Sequence, residues 1–582
     1  MDWTNSLKTT EINNLSNNVV NSLLDELEDA NLSKHLKLKI SKEEIILLYR
    51  WSLYISVNTF TDKLLRALSD SEFLPNKYSK SNFLFKKYNN ILDTTLNLYN
   101  NNKFNYDFLN ELSSILNTGK VNNNIFDENI LNSKNKFGLR FFKKKYSIYK
   151  KKFFFLLKFI LYKYFVVTLF KPKLLYQPGE QLDLIFPWNA KLIRYPLNDY
   201  NFDSKSRSNI ILFSEKIFII HYSNILQNID PKIIKILSKL FGHWIESSIS
   251  LSLLEGLEDQ YLFYNKLIDS FDIKSFHSTT GMPFYENVII FGILARRRKI
   301  KIVSHEHGAN NFRTIGKNNF INHYKGIDQM LFSDFFISWG KDKISDKWIN
   351  ATKFNVQVAE IGSVYLYSLK TKYIKKTRKK NFLIYYCASQ FRNFITNFEE
   401  ISPEKNYEHK KNVALFIKQV LSLSEDIKFL YKPFPEDFRN KDNPIYEILS
   451  DEIKSNKVSL NNNKSTETMK NVDLVFFDLI STGFAESINI GKPSIIFSTK
   501  YEYLLASNEG KKINEMLYSD GVIFYNQEEG INTVKKILTN EISFMEETKE
   551  SINQFVKNTA YPISKNDFLR KLNLLKLWYH QA

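Results

Sequence analysis

"VDLVFFDLISTGFAESINIGKPSIIF", Val472–Phe497, passes from one apolar run to another through a short polar junction. The first run is apolar on successive residues, as a strand buried on both faces of a parallel sheet must be. TGFAESINI then has the character of a helix, with Gly491 near its end and Pro493 beyond to stop it, and KPSIIF opens a second strand. Strand, helix and strand in succession make a βαβ unit, so the stretch sets the class as α/β with a parallel sheet. It also puts a hydroxyl pair, Ser481 and Thr482, where the strand ends and the helix begins. Free backbone N–H groups and the positive end of the helix dipole collect an anion at such a point, which suits a phosphate. One turn on, Glu486 is placed to accept hydrogen bonds from ribose hydroxyls. The structural alternative makes Ser481 or Thr482 a helix cap and Glu486 a favourable first-turn charge.

The same grammar extends outward. From about Val356, "VQVAEIGS", "NFLIYYCAS", "IKFLYKPFP" and "GVIFYN" read as strands, with a helix in "HKKNVALFIKQVLSL". Upstream, "SNIILFSEKIFIIHY", "IKSFHST", "KIKIVSHEHG" and "DFFISWG" read as strands of another α/β region, with a helix from Gly281 to Arg298. From Met1 to about Thr118 the apolar residues recur at three and four positions, which predicts helices. The expected organisation is a helical N-terminal region (1–135), a basic-aromatic segment (136–175), two Rossmann-like domains (176–350 and 351–545) and C-terminal helices (546–582).

A chain of 582 residues exceeds what one core supports, and 43% hydrophobic residues are enough to bury several. Its formal charge of +19 suits an anionic substrate, membrane or nucleic acid, although the Lys-, Asn- and Ile-rich composition explains part of it. One cysteine, Cys387, excludes an intramolecular disulfide framework and a cysteine-cluster metal site. No basic-then-apolar signal segment opens the sequence, so a cytoplasmic protein is expected. Lys158 and Lys163 interrupt the apolar run from Lys143 to Lys173, which reads either as a segment at the inner face of the cytoplasmic membrane or as a buried helix with lysines reaching out. GxGxxG, GxxxxGK[ST] and GxSxG are all absent, which argues against a dinucleotide oxidoreductase, a P-loop NTPase and an α/β-hydrolase.

A second constellation, Ser304, His305, Glu306, His307 and Gly308, follows directly on the strand-like KIKIV. An imidazole with an ordinary pKa near 6.5 can take a proton from an acceptor hydroxyl. His307 is the expected base, His305 the second choice, and Glu306 either orients an imidazole or is the base itself. The alternatives are a satisfied histidine pair in a turn, or a metal site, for which no third ligand with sensible spacing follows. His277, Ser278 and Thr279 end another strand-like run and are acceptor-side candidates. Ser389 and Arg392 in "CASQFRNF" are candidate phosphate ligands, Arg392 through its planar fork.

The loop "SHEHGANN", the strand "FFISWG" and the pattern "DLISTGFAESINIGKPSIIF" together resemble bacterial surface and capsular polysaccharide transferases of the GT-B type, distantly similar to CDP-glycerol glycerophosphotransferases. The likeness covers roughly residues 180–540. It implies a GT-B-like fold of two facing Rossmann-like domains, a nucleotide-activated sugar held by the C-terminal domain, and a glycan or lipid-linked acceptor held by the N-terminal one. No metal or other cofactor and no nucleic acid partner are expected, and the basic-aromatic segment gives the expectation of peripheral contact with an anionic inner membrane. Those relatives often carry K-x-H-P where this chain has "YKPFP", with Lys432 kept and Phe434 in place of the histidine, so the resemblance leaves the donor phosphate to Lys432, the hydroxyl pair and the helix N-terminus, or has the donor seated differently. By analogy a CMP-linked donor is favoured over a uridine one. Transfer of an alditol phosphate from a CDP donor, and a non-catalytic polyanion- or membrane-binding scaffold, are the rivals.

Overall fold

The computed structural model describes residues 6–29, 40–68, 112, 174–176, 182, 185, 190–191, 204–279, 286–306, 308, 333–340, 356–370, 381–391, 403–434, 437, 443–500 and 508–577. His307, Arg392 and the basic-aromatic segment 143–173 lie outside them. The chain divides into two compact units, residues 1–178 with 188–302 and 579–582, and residues 179–187 with 303–578.

In the first unit, helices α1 (Ser6–Asp29) and α2 (Lys42–Leu68) are followed by strands β1 (Leu174–Tyr176) and β2 (Ala190–Lys191). Next come α3 (Ser204–Tyr222), α4 (Pro231–Ser248), α5 (Leu257–Asp269), β3 (Ser275–Ser278) and α6 (Glu286–Arg297). The strands are parallel in the order β2-β1-β3, with Tyr176 opposite His277. The expected N-terminal helices are present and their core is aromatic: Phe60 packs edge-on to Phe218 and Phe241, and Trp244 Nε1 donates to the Ser56 carbonyl. Arg297, in the last turn of α6, pairs with Glu44 of α2 and lies over the Tyr261 ring, so more than the helix dipole holds it. One expectation fails here. "SNIILFSEKIFIIHY" is helical rather than a strand, because Ile210, Phe213, Ile217 and Phe218 recur at helical spacing and are buried together.

The second unit holds two parallel arrays. Strands β5 (Phe335–Ser338) and β6 (Gln357–Glu360) extend from β4 (Lys301–His305), whose carboxyl end lies in this unit. The run VQVAEIGS, which opens the second series of the sequence reading, is therefore β6 and pairs with β5 rather than with β7. After α7 (Val364–Leu369) come β7 (Phe382–Cys387), α8 (Pro403–Leu421), β8 (Ile427–Lys432), β9 (Val458–Leu460) and α9 (Ser465–Met469). They are followed by β10 (Leu474–Phe477), α10 (Thr482–Ile490), β11 (Ser494–Phe497), α11 (Asn508–Ser519), β12 (Ile523–Phe524) and α12 (Gln527–Thr539). The six strands are parallel in the order β9-β8-β7-β10-β11-β12. Numbered within this sheet, that is 3-2-1-4-5-6, the doubly wound Rossmann order. β10 is buried at every residue, as its unbroken apolar run requires, and α10 ends on Gly491 at φ 84°.

Helices α13 (Lys549–Thr559) and α14 (Lys565–Leu574) close the unit. The chain between them adds a bridge to Ser363, and Tyr561 N–H donates to the Trp339 carbonyl. Gly340 is required by this approach, because a Cβ there would run into the Asn558 backbone carbonyl.

Candidate functional site

Strand order locates the site before any side chain is considered. In the second sheet the winding reverses between β7 and β10, and ligands of such sheets bind beyond the carboxyl ends of the strands at that reversal. The residues emerging there are Ser389 after β7 and Asp478 to Thr482 after β10. In register, Phe477 lies opposite Cys387, and Cys387 opposite Lys432.

Asp478 sits beneath this edge. It is 1% exposed and forms an ion pair with Lys410 of α8, itself fully buried. The Tyr386 hydroxyl (2.7 Å) and the Ser389 backbone N–H (2.8 Å) also donate to its carboxylate. Lys410 Nζ donates in turn to the carbonyl and hydroxyl of Ser389, at 2.7 and 2.8 Å. His409 Nε2 lies 2.8 Å from the Asp478 carbonyl, which can only accept, so this nitrogen carries the proton. Burial opposes the Asp478 charge, but the Lys410 ammonium, His409 and the two side-chain donors outweigh it and hold the carboxyl below its ordinary value. Tyr386 is pushed well up, by burial first and then by the Asp478 charge. The network ties the turn after β7 to the turn after β10, and so fixes the backbone on both sides of the reversal.

Above it are the residues that the sequence singles out. Ser481 is the backbone N-cap of α10 (φ −144°, ψ 174°), yet its side chain makes no capping hydrogen bond. The hydroxyls of Ser481 and Thr482 are half-buried at the helix N-terminus, beside N–H groups that their own cap does not satisfy. The capping alternative is thus not realised by the Ser481 side chain. Glu486, half-buried, accepts a 2.7 Å hydrogen bond from Tyr365 Oη of α7. Lys432 Nζ donates to the Asn463 carbonyl. Cys387 senses the same surroundings: burial first, then the Glu486 and Asp478 charges, push its thiol up to about 12. A thiol so far from ionising is a poor nucleophile. With the chain folded at pH 8, iodoacetamide should alkylate Cys387 at least about tenfold more slowly than in denaturant; equal rates by mass spectrometry would contradict this environment.

The second constellation is brought close through a chain of contacts within the same unit. Glu306, 3% exposed, accepts from the Trp339 backbone N–H and, at 3.2 Å, from Ser338 Oγ. The Trp339 ring lies 6.5 Å from that of Tyr365, whose hydroxyl reaches Glu486. His305 is 3% exposed, with its ring stacked over Phe568 of α14. In the first unit, His277, Ser278 and Thr279 are at the end of β3, where the β2-β1-β3 order also reverses. All three are buried, and His277 Nε2 is 3.2 Å from Ser275 Oγ.

Sequence reading passed over Lys410, Asp478, Tyr386 and Tyr365. Asp478 carried the strongest signal, a lone carboxylate within an otherwise apolar strand end, which needs a buried partner. Among the described residues no cluster of three or more His, Cys, Asp or Glu is arranged to hold a metal, and no helix is long and apolar enough to cross a membrane.

Two parallel α/β arrays with a polar site at a Rossmann reversal define a nucleotide-type α/β architecture. The family model described as LIC12162 family transferase matches residues 45–542, and the chain belongs to that family. The transferase class implied by the sequence resemblance is thereby shown. No curated protein matches the chain. Among solved structures, the chain is similar to a putative UDP-N-acetylglucosamine 2-epimerase from Listeria monocytogenes (15% identity over 55% of this chain and 79% of that one, TM-score 0.37). It is similar also to UDP-GlcNAc 2-epimerase from Neisseria meningitidis bound to UDP-GlcNAc (14%, 56% and 82%, TM-score 0.36) and to Anabaena HepE in complex with UDP-glucose (11%, 56% and 84%, TM-score 0.35).

Proposed function

We propose that the chain is a glycosyltransferase that moves a sugar from a nucleotide-activated donor to a surface glycan or lipid-linked acceptor. The observation that carries this reading is the set of half-buried hydroxyls and a carboxylate, Ser481, Thr482 and Glu486, at the reversal point of a Rossmann-ordered sheet in a transferase-family chain. In the proposed mechanism the donor phosphates sit at the N-terminus of α10, against Ser481, Thr482 and the Ser389 turn, with Lys432 and Arg392 as cationic ligands. Glu486, oriented by Tyr365, takes the ribose hydroxyls. A base in the loop 305–307 takes the proton of the acceptor hydroxyl as the acceptor oxygen bonds to the anomeric carbon. The bond from that carbon to the donor phosphate breaks, and the helix amides and cations receive the developing negative charge without a metal. His277, Ser278 and Thr279 are assigned to the acceptor, and a cytidine nucleotide is the first donor to test.

Calorimetric titration of the purified chain with CMP, CDP, UDP and GDP tests this. Binding of one nucleotide, weakened roughly 10- to 100-fold by Glu486→Ala and by the Ser481→Ala, Thr482→Ala double variant, is the expected result, each lost hydrogen bond to a charged group being worth about 1.5–3 kcal/mol. No binding of any of the four by folded protein would overturn the donor site. A CDP-alditol as the productive substrate would replace sugar transfer by alditol phosphate transfer.

A further inference from the structure

Helix α3 is apolar on two opposite sides. Ile210, Phe213, Ile217, Phe218 and Tyr222 are buried, and the helix packs against α1 and α4. On the other side Leu212, Ile219 and Ile220 are 57%, 49% and 69% exposed, and Ile225 in the following turn is 38% exposed. Positions 212, 216, 219 and 220 are spaced at i, i+4, i+7 and i+8, so they form one stripe. A helix apolar all round is normally covered all round.

The charges around the stripe say what kind of cover fits. Lys216 is exposed within it and Lys205 lies one and a half to two turns before Leu212 on the same face. Lys235 and Lys239, exposed on α4, act electrostatically on Glu215 of α3 and so belong to the same surface. Glu215 is half-buried, and the exposed charged residues of α3 and α4 are all lysines. A second copy docked through the same stripe would bring Lys216 and Lys205 against like charges, in a chain of net charge +19.

We propose that this face of α3 is a docking surface for a lipid bilayer carrying anionic headgroups, the aliphatic tips entering the interface and the flanking lysines meeting the phosphates. The inference stands apart from the basic-aromatic segment 143–173 and from the donor site.

Flotation of the full chain with phosphatidylcholine vesicles, with and without phosphatidylglycerol, tests it. The triple variant Leu212→Ser, Ile219→Ser, Ile220→Ser alters exposed positions only, and a thermal melt matching that of the unmodified chain checks its fold. Its partition onto phosphatidylglycerol vesicles should fall roughly tenfold or more, since about 0.8 kcal/mol is lost for each CH₂ no longer buried. Lys216→Glu with Lys239→Glu should weaken binding to the anionic vesicles and leave the neutral ones unaffected. The proposal is overturned if the unmodified chain fails to float, or if the triple variant floats equally well, which would move membrane contact elsewhere in the chain. It is overturned equally if the triple variant converts a dimer to a monomer with flotation unchanged, which would make the stripe a subunit contact.

Discussion

Lys410→Met is expected to lower the free energy of unfolding by about 3–5 kcal/mol, measured by denaturant titration at pH 7. The side chain is fully buried and its ammonium is the cation paired with Asp478, which is 1% exposed. Removing it leaves a carboxylate in the protein interior with hydrogen bonds from Tyr386 and Ser389 but without the ammonium that is its ion-pair partner, and desolvation of that charge is then poorly compensated. Adding Asp478→Asn should recover part of the loss, because an amide oxygen still accepts from Tyr386 or Ser389 while the buried charge is gone; full additivity of the two single losses would show that they do not act as a pair. The pH dependence has a definite sign. The folded-state pKa of Asp478 is depressed below its unfolded value of about 3.9, so its contribution to stability is fully present above that value and is lost as the pH falls through the folded pKa. Acid unfolding below about pH 4 should therefore be less steep in Asp478→Asn than in the unmodified chain.

This network also shows where the sequence was informative. The run Val472–Phe497 revealed its strand, its helix, the glycine stop and the next strand, because full burial on both faces and a helix terminus leave marks within a few residues. Repeating the same pattern gave the parallel α/β class of the second sheet, whereas its strand order, and the short strand β9, came only from the structure. "SNIILFSEKIFIIHY" misled because β-branched and aromatic residues on two sides of a helix mimic a buried strand, and only its length of 15 residues spoke against that. Ser481, Thr482 and Glu306 were singled out because they follow strand-like runs, and Glu486 because it comes one turn into the helix after one. Lys410 and Tyr365 were not, since their partners are 68 and 121 positions away. A lysine on a helix reads as solvated until the fold supplies a buried carboxylate, and a tyrosine hydroxyl has no sequence signature at all.

His307→Ala carries the largest expected effect on the proposed reaction, a fall in turnover of roughly 10²–10⁴-fold with nucleotide affinity and thermal stability nearly unchanged. Its neighbours differ from it in what they can do. Glu306 is buried and accepts hydrogen bonds from the Trp339 N–H and Ser338, so Glu306→Ala leaves buried donors unpaired and should lower stability as well as activity. His305 is stacked beneath Phe568, so His305→Ala should open a cavity near α14. A group that moves a proton in the transition state affects turnover alone, whereas a group that holds the loop affects the melting temperature too. Measuring kcat, nucleotide Kd and Tm for the three alanine variants therefore separates these roles. If His305→Ala, and not His307→Ala, loses turnover at constant Tm, the base is the buried imidazole and α14 must move aside to expose it. If all three lose turnover only in proportion to Tm, the loop is structural, and the proton must be taken by another group at the carboxyl edge of the sheets.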